Sequence, residues 1–191
     1  MSSTVRFLKM EIIIYRHAEP IISSNEIISG RDFPLWVQKY NESGIRAHGF
    51  AGEKEEIVYT SDLERSLETG RLIGNNVIQD TVFREAEIPL IKFPVMRLKA
   101  KIWLAISRFL WLLGVKTKCE SFKEAKHRAK RIVERIEVLL LEKQRIVIVG
   151  HGFINRLIKK ELSRQGWFLE QAKNENGFLS RMKFNTEQIK D

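Results

Sequence analysis

Two runs of β-branched residues constrain the fold of this chain more than any other feature. The sequence EIIIY covers residues 11–15 and RIVIV covers residues 145–149, and both are nearly continuous in apolar residues. A strand of this kind has two apolar faces and must be covered on both of them, as the strands of a parallel sheet are. The two runs therefore predict a parallel sheet buried inside the protein.

Strand-like and helix-like patterns alternate along the chain. Strands are predicted at 10–15, 55–60, 145–149 and 178–184, and helices at 33–43, 63–76, 121–143 and 152–163. The longest helix is the clearest, because its apolar residues recur every three or four positions. The alternation predicts an α/β fold, a three-layer sandwich with a mostly parallel central sheet and helices on both faces.

The length of the chain, 191 residues, suits one hydrophobic core. No internal repeat, low-complexity tract or Pro/Gly-rich linker marks a boundary, so we predict a single domain over residues 1–191. The lone Cys119 excludes an intramolecular disulfide, and residues 1–10 lack the pattern of a secretory signal, so we expect a cytoplasmic protein. The longest apolar stretch, 102–114, is shorter than the roughly 20 residues that cross a bilayer.

The net charge of +9 is concentrated in one part of the chain. Residues 97–145 hold 14 Lys or Arg against 5 Glu, so the remainder is neutral on balance. A local basic surface attracts nucleic acid, an anionic membrane or a phosphorylated small molecule, and charge alone does not choose among these partners. An ordinary solvated helix face is the simpler interpretation of the same pattern.

Two of the four histidines directly follow predicted strands. His17 lies next to Arg16 after the first strand, and His151 follows the strand at 145–149. Ligands of open α/β sheets bind beyond the carboxyl ends of the strands, so both imidazoles will lie in one site if those strands are neighbours. Arg65, one turn into the helix after the strand at 55–60, would reach the same edge.

These groups together suit a phosphoryl dianion. Guanidinium groups and the amides at the start of the helix at Gly152 supply positive charge and hydrogen-bond donors. A neutral imidazole is a competent nucleophile, and Glu85 or Glu87, two residues apart and on one side of an extended segment, would supply a proton. Each histidine taken singly also fits a hydrogen-bonded residue at a strand end.

A metal site is a poor fit to the same residues. His17 and His151 have no cysteine or aspartate cluster beside them, and the neighbouring arginines would repel a cation. We therefore predict no metal and no other cofactor.

Four motifs together resemble the histidine phosphatase superfamily, the phosphoglycerate-mutase-like fold. In chain order the motifs are RHAEP, TSDLERSLET, FREAEIP and VGHGFINRLI. Their order and spacing match that family over essentially the whole chain. The resemblance implies that His17 becomes a phosphohistidine and that Arg16, Arg65 and a protonated His151 hold the phosphoryl oxygens.

The resemblance also implies a carboxylate that protonates the leaving group. Glu85 and Glu87 both remain candidates, and Glu85 is favoured because it directly follows an arginine, as in this subtype of the family. Two positions depart from the family pattern. Ala18 replaces the usual glycine after the nucleophile, and Ser23 stands where many mutase-type members have asparagine.

Residues 91–118 are the least typical segment. The insertion found there in the family covers the active site and selects the substrate, so the resemblance implies a variable cover. Here the segment is apolar and basic, which favours a lipophilic phosphoester or peripheral contact of residues 97–118 with a membrane surface. The alternative is a core helix with basic flanks.

The resemblance and the candidate residues predict a metal-independent phosphomonoester hydrolase that works through a phosphohistidine on His17. A phosphoglycerate-type mutase is the nearest alternative, and the short chain favours hydrolysis. A non-enzymatic basic binding module is the second alternative, supported by charge alone. We expect a small phosphorylated substrate and no nucleic-acid partner, whereas the natural substrate and the oligomeric state do not follow from the sequence.

Overall fold

A six-stranded sheet organises the computed structural model, which describes residues 8–46, 49–50, 52–90, 96–115, 118–174 and 177–188. Its strands in chain order are β1 (Leu8–Arg16), β3 (Glu55–Thr60), β4 (Gly74–Gln79), β6 (Arg145–Gly150), β7 (Phe168–Lys173) and β8 (Arg181–Gln188). Two short strands, β2 (Ile27–Ser29) and β5 (Arg97–Lys99), form a separate antiparallel pair.

The central sheet is mostly parallel, as the apolar runs predicted. Its strand order is β4-β3-β6-β1-β8-β7. β4, β3, β6 and β1 are mutually parallel, whereas β8 is antiparallel to both β1 and β7. β1 and β6 are therefore neighbours that end at the same edge of the sheet.

Five helices pack around the sheet: α1 (Phe33–Glu42), α2 (Glu64–Ile73), α3 (Ala100–Leu112), α4 (Phe122–Leu140) and α5 (Gly152–Arg164). Ile12 and Ile14 of β1 join a core cluster with α4 and α5, whereas Ile13 and Tyr15 join a second cluster with Ile73 of α2. Successive side chains of a strand point to opposite faces, so helices cover both faces of the sheet. The predicted three-layer α/β fold is confirmed.

The predicted helix over 63–76 is too long. α2 ends at Ile73, and the chain enters β4 at Gly74 without a loop. A Cβ at Gly74 would collide with the Val58 side chain, so glycine allows the backbone to pass close to β3. β4 is an edge strand with mostly exposed side chains, and its sequence therefore lacks the apolar pattern of a buried strand.

The last predicted strand, 178–184, begins three residues later in the structure. Leu179 has a left-handed backbone with φ of 54°, which no extended strand accommodates, and β8 starts at Arg181. The edge strand β7 and the short strands β2 and β5 were not predicted either.

The segment predicted to be a cover forms β5 and α3, except that 91–95 and 116–117 lie outside the described residues. α3 packs with α1 and β2 in a third cluster, in which the Trp103 indole donates to the Ile28 carbonyl. None of the helices in the described ranges is long and apolar enough to span a membrane.

Candidate active site

His17 is held between two neighbouring segments at the end of β1. Its backbone amide donates to the Gly150 carbonyl at 3.0 Å, and its carbonyl accepts from the Leu179 amide at 3.3 Å. Nδ1 of the ring lies 2.7 Å from the Ala18 carbonyl oxygen. A carbonyl can only accept, so Nδ1 carries the proton and Nε2 keeps its lone pair.

The His17 ring is buried, and its charge state follows from that position. Burial and the positive charges of Arg65 and Arg16 hold the pKa of His17 well below its ordinary value, although the hydrogen bond to Ala18 opposes them. The imidazole is therefore neutral at pH 7, which is the form a nucleophile requires.

His151 lies beside His17, with 5.0 Å between the ring centroids. Its Nε2 is 2.7 Å from Oγ of Ser61, and that oxygen also accepts from the Leu63 amide. Among the described residues, Nε2 is the only hydrogen-bond acceptor that the Ser61 hydroxyl contacts, so this buried hydroxyl donates to Nε2 and the imidazole proton lies on Nδ1. This Nδ1 is buried and has no hydrogen-bond partner within the described part of the chain.

His151 was expected to be protonated, whereas the surroundings of its ring favour the neutral form. Complete burial lowers the pKa of His151 well below its ordinary value, and the charge of Arg65 and the proximity of His17 lower it further. Neutral His151 still presents an N–H donor through Nδ1.

The two arginines lie next to the histidines. The Arg16 guanidinium packs 4.7 Å from the Phe178 ring centroid and against Gly152, where a Cβ would lie 3.4 Å from Cζ of Arg16. Arg65 is buried, stacks 4.9 Å from the Tyr40 ring centroid and donates to the Tyr40 carbonyl. Its Nε is buried and has no hydrogen-bond partner among the residues that the structure describes.

The two candidate carboxylates occupy different positions. Glu85 accepts from the amides of Phe153 and Ile154, each at 2.9 Å, and so occupies the first turn of α5 directly after His151. Glu87 instead accepts from the Glu120 amide at 3.1 Å. The expectation that the amides opening α5 face a phosphoryl group is therefore corrected, because two of them bind Glu85.

Side-chain hydroxyls of α2 fix the loops that carry the histidines. The Ala18 amide donates to Oγ1 of Thr69 at 2.9 Å, and this hydroxyl donates to the Arg65 carbonyl. Oγ of Ser66 donates to the Val149 carbonyl at 2.8 Å. Sequence reasoning missed these roles, although the three-residue spacing of Ser66 and Thr69 places them on one helix face.

Neither Ser61 nor Asp62, which lie just before the start of α2, caps that helix with its side chain. The Ser61 hydroxyl binds His151, and Asp62 forms an ion pair with Arg84. The hydrogen bond from Arg84 holds the pKa of Asp62 below its usual value. The pair connects the start of α2 to the segment that carries Glu85.

The candidate residues open onto a cavity of about 1020 Å³. Arg16, His17, Arg65 and Glu85 line it, whereas His151 is buried behind them. Side chains of α3 form another wall: Lys101, Leu104, Ala105 and Arg108. The predicted cover segment therefore does border the site.

Arg108 connects that wall to the carboxylate segment. Its guanidinium lies 4.5 Å from the Trp111 ring centroid and 4.4 Å from that of Phe153, and it donates to the carbonyls of Ala86 and Glu87. Burial lowers the pKa of Arg108. Within the described ranges, no group of three His, Cys, Asp or Glu side chains is arranged to hold a metal ion.

Solved structures share this architecture at low sequence identity. Mycobacterial glucosyl-3-phosphoglycerate phosphatase superposes with a TM-score of 0.58 and 17% identity, covering 93% of this chain and 90% of that chain. Phosphoserine phosphatase from Entamoeba histolytica superposes with a TM-score of 0.57 and 16% identity, covering 93% of this chain and 94% of that chain. Phosphoglycerate mutase from Bacillus anthracis superposes with a TM-score of 0.60 and 14% identity, covering 96% of this chain and 93% of that chain. These likenesses establish the fold.

Sequence comparison identifies the family. Comparison with curated proteins gave no match. The family model described as the histidine phosphatase superfamily (branch 1) matches residues 12–190, which includes every site residue described above. The chain therefore belongs to the histidine phosphatase superfamily, branch 1.

Proposed function

We propose that the protein is a phosphomonoester hydrolase that transfers the phosphoryl group first to His17 and then to water, without a metal ion. The observation that carries this proposal is the hydrogen bond from Nδ1 of His17 to the Ala18 carbonyl. It fixes the tautomer in which Nε2 has the lone pair, in a ring that shares a cavity with Arg16 and Arg65.

In the first step, Nε2 of His17 attacks phosphorus and the bond from phosphorus to the leaving oxygen breaks. Glu85, protonated at the start of the step, gives its proton to that oxygen and becomes a carboxylate. Both Glu85 and Glu87 line the cavity, and we prefer Glu85 because its carboxyl group lies against the first turn of α5, directly after His151.

In the second step, water attacks the phosphohistidine. Glu85 takes a proton from the water, the bond between phosphorus and Nε2 breaks, and inorganic phosphate leaves with His17 neutral again. Both enzyme groups return to their starting states, so the cycle consumes one phosphomonoester and one water.

Three donors are available for the oxygens of the transferred group. Arg16 and Arg65 contribute positive charge, and His151 contributes the Nδ1–H that lacks a partner among the described residues. Such fixed donors stabilise the charge of a phosphoryl transition state, which is the role a metal ion has in other phosphotransferases.

The test is steady-state hydrolysis of an aryl phosphate with and without EDTA, using His17→Ala and a matched control, His127→Ala. His127 is exposed on α4 and far along the chain from the motif residues. We expect metal-independent turnover in the wild type and the control, and at least about a 10³-fold loss in His17→Ala. Quenched reactions should contain an acid-labile phosphoprotein that His17→Ala lacks.

The same assay separates the alternatives. A mutase would require a bisphosphorylated primer and would return the phosphoryl group to its substrate rather than release phosphate. A basic binding module would bind DNA or lipid equally well after His17→Ala. Absence of phosphate release by the wild type from a panel of sugar, nucleotide, glycerate and lipid phosphates would refute the proposal.

A further inference from the structure

The helix α3 presents three distinct faces. Trp103, Ser107 and Trp111 point into the protein, and the face with Lys101, Leu104 and Arg108 lines the cavity. The third face points outward and is apolar. Its exposed fractions are 39% for Ile102, 61% for Phe109, 45% for Leu112 and 65% for Leu113, the C-cap residue directly after α3.

Exposed apolar side chains are concentrated around this helix. Of fifteen exposed large apolar residues in the described part of the chain, six lie between 96 and 115: Met96, Ile102, Phe109, Leu112, Leu113 and Val115. Single exposed apolar residues are common in folded proteins, whereas a contiguous group usually marks an interaction surface. The outward face of α3 is therefore a candidate docking surface.

The charge around this face indicates the chemistry of the partner. Residues 97–118 contain six Lys or Arg and no Asp or Glu. Arg97, Lys99, Lys101 and Lys118 are all exposed, and Lys101 and Lys118 also border the cavity. A two-fold contact between copies of this chain would oppose one basic surface with another, so self-association through this face is disfavoured.

We propose that the outward face of α3 docks on the surface of an anionic lipid bilayer. Phe109 and Leu113 would enter the boundary between headgroups and acyl chains, while the surrounding Lys and Arg contact lipid phosphates. A large apolar centre with a basic surround fits a bilayer better than nucleic acid, whose backbone offers charge and no apolar layer. The inference does not rest on the proposed hydrolase activity.

Docking in this way would have a geometric consequence. The same 13-residue helix that faces outward also forms a wall of the cavity. A membrane in contact with the outer face of α3 would therefore lie beside the candidate active site.

The first test is sedimentation of the full-length protein with vesicles of phosphatidylcholine containing about 30% phosphatidylglycerol. We expect the wild type to bind, and Phe109→Ser with Leu113→Ser to lower the partition coefficient at least about tenfold. The matched control is Phe168→Ser with Leu141→Ser, which removes the same two residue types from exposed positions of 73% and 83% elsewhere on the protein. The control should bind like the wild type.

The second test measures the contribution of the basic side chains to vesicle binding. Arg97→Gln with Lys99→Gln should weaken binding to the anionic vesicles, and rising salt should weaken wild-type binding in the same direction. The control, Lys54→Gln with Lys173→Gln, makes the same change in net charge at exposed positions outside the surface. Only the substitutions at Arg97 and Lys99 should lower vesicle binding.

Three results would overturn the proposal. The first is no wild-type binding to anionic vesicles. The second is equal binding by the Phe109/Leu113 variant and the wild type. The third is a concentration-dependent dimer that this variant abolishes without any vesicle binding, because a second copy would then cover the face. Hydrolysis of a soluble aryl phosphate by the Phe109/Leu113 variant should match the wild type, so failure of docking and failure of catalysis are distinguishable.

Discussion

Oγ of Ser61 lies 2.7 Å from Nε2 of His151, and both residues are fully buried. Among the described residues, the Ser61 hydroxyl has no other acceptor than this imidazole nitrogen, so it donates to His151 while its oxygen accepts from the Leu63 amide. The serine thereby selects the His151 tautomer that carries its proton on Nδ1. A residue that does not line the cavity thus decides whether Nδ1 of His151 is a hydrogen-bond donor or a lone pair.

Replacing Ser61 by alanine should lower kcat/KM for an aryl phosphate by about 10–100-fold, because His151 then loses its fixed tautomer. Nitrogen NMR of the labelled imidazole should show the change of tautomer directly. Ser107→Ala is the control, since the Ser107 hydroxyl is buried and without a hydrogen bond in the described ranges. An unchanged His151 spectrum in Ser61→Ala would contradict the assignment.

The roles of Glu85 and Glu87 should be distinguishable by comparing substrates with poor and good leaving groups. Glu85→Gln should reduce hydrolysis of an alkyl phosphate by about 10²–10⁴-fold and that of a nitrophenyl phosphate much less, because only the poor leaving group needs a proton. Glu87→Gln keeps a side-chain acceptor for the Glu120 amide and should have a small effect on both substrates. The reverse ranking of the two variants would move the proton donor to Glu87.

Stability should fall on acidification because of the two buried histidines. Their folded pKa values lie well below the ordinary value of about 6.5, so below pH 6.5 the unfolded chain binds protons that the folded protein does not. The free energy of unfolding should therefore decrease as pH falls from 6.5 towards the folded pKa values, by up to about 1.4 kcal/mol per pH unit for each histidine.

Urea unfolding at several pH values checks this dependence. The His17→Gln variant lacks the pH-dependent loss of unfolding free energy that His17 causes. It should therefore gain stability relative to the wild type as pH falls below 6.5. Parallel curves for the two proteins across that range would show that His17 is not buried in its neutral form.

Thr69→Val should lower the free energy of unfolding by about 1–3 kcal/mol, because it leaves the buried Ala18 amide without its acceptor. Thr60→Val is a matched control. The Thr60 hydroxyl is equally buried but has no hydrogen-bond partner in the described segments, so its removal should be neutral or stabilising. Equal losses in the two variants would indicate a packing effect rather than the hydrogen bond.

Local patterns were sufficient for the central part of the fold. The apolar runs at 11–15 and 145–149 identified β1 and β6, and a histidine at the end of each placed His17 and His151 at one edge of the sheet. The apolar periodicity identified α4, and the structure adds a capping box between Ser121 and Glu124. The apolar period of a helix and the position of a residue after a strand depend only on residues that are close in the chain, so a single sequence reveals them.

The remaining features depend on residues far apart in the chain. Ser61 and His151 are 90 positions apart, and Glu85 and Phe153 are 68 apart, so no local spacing indicates either contact. The first three residues of β4 were assigned to a helix and the other three to no element, because an exposed edge strand lacks the alternation that burial imposes. The tautomer of His151 and the occupant of the α5 amides needed the assembled structure.

Arg108 couples the outer helix to the carboxylate. Its aromatic contacts reach Trp111 and Phe153, and its hydrogen bonds reach the two residues that follow Glu85. An outward shift of α3 would have to break these contacts or pull on the backbone that carries Glu85. We therefore expect bulky substrates to be discriminated in the rate of bond cleavage as well as in affinity.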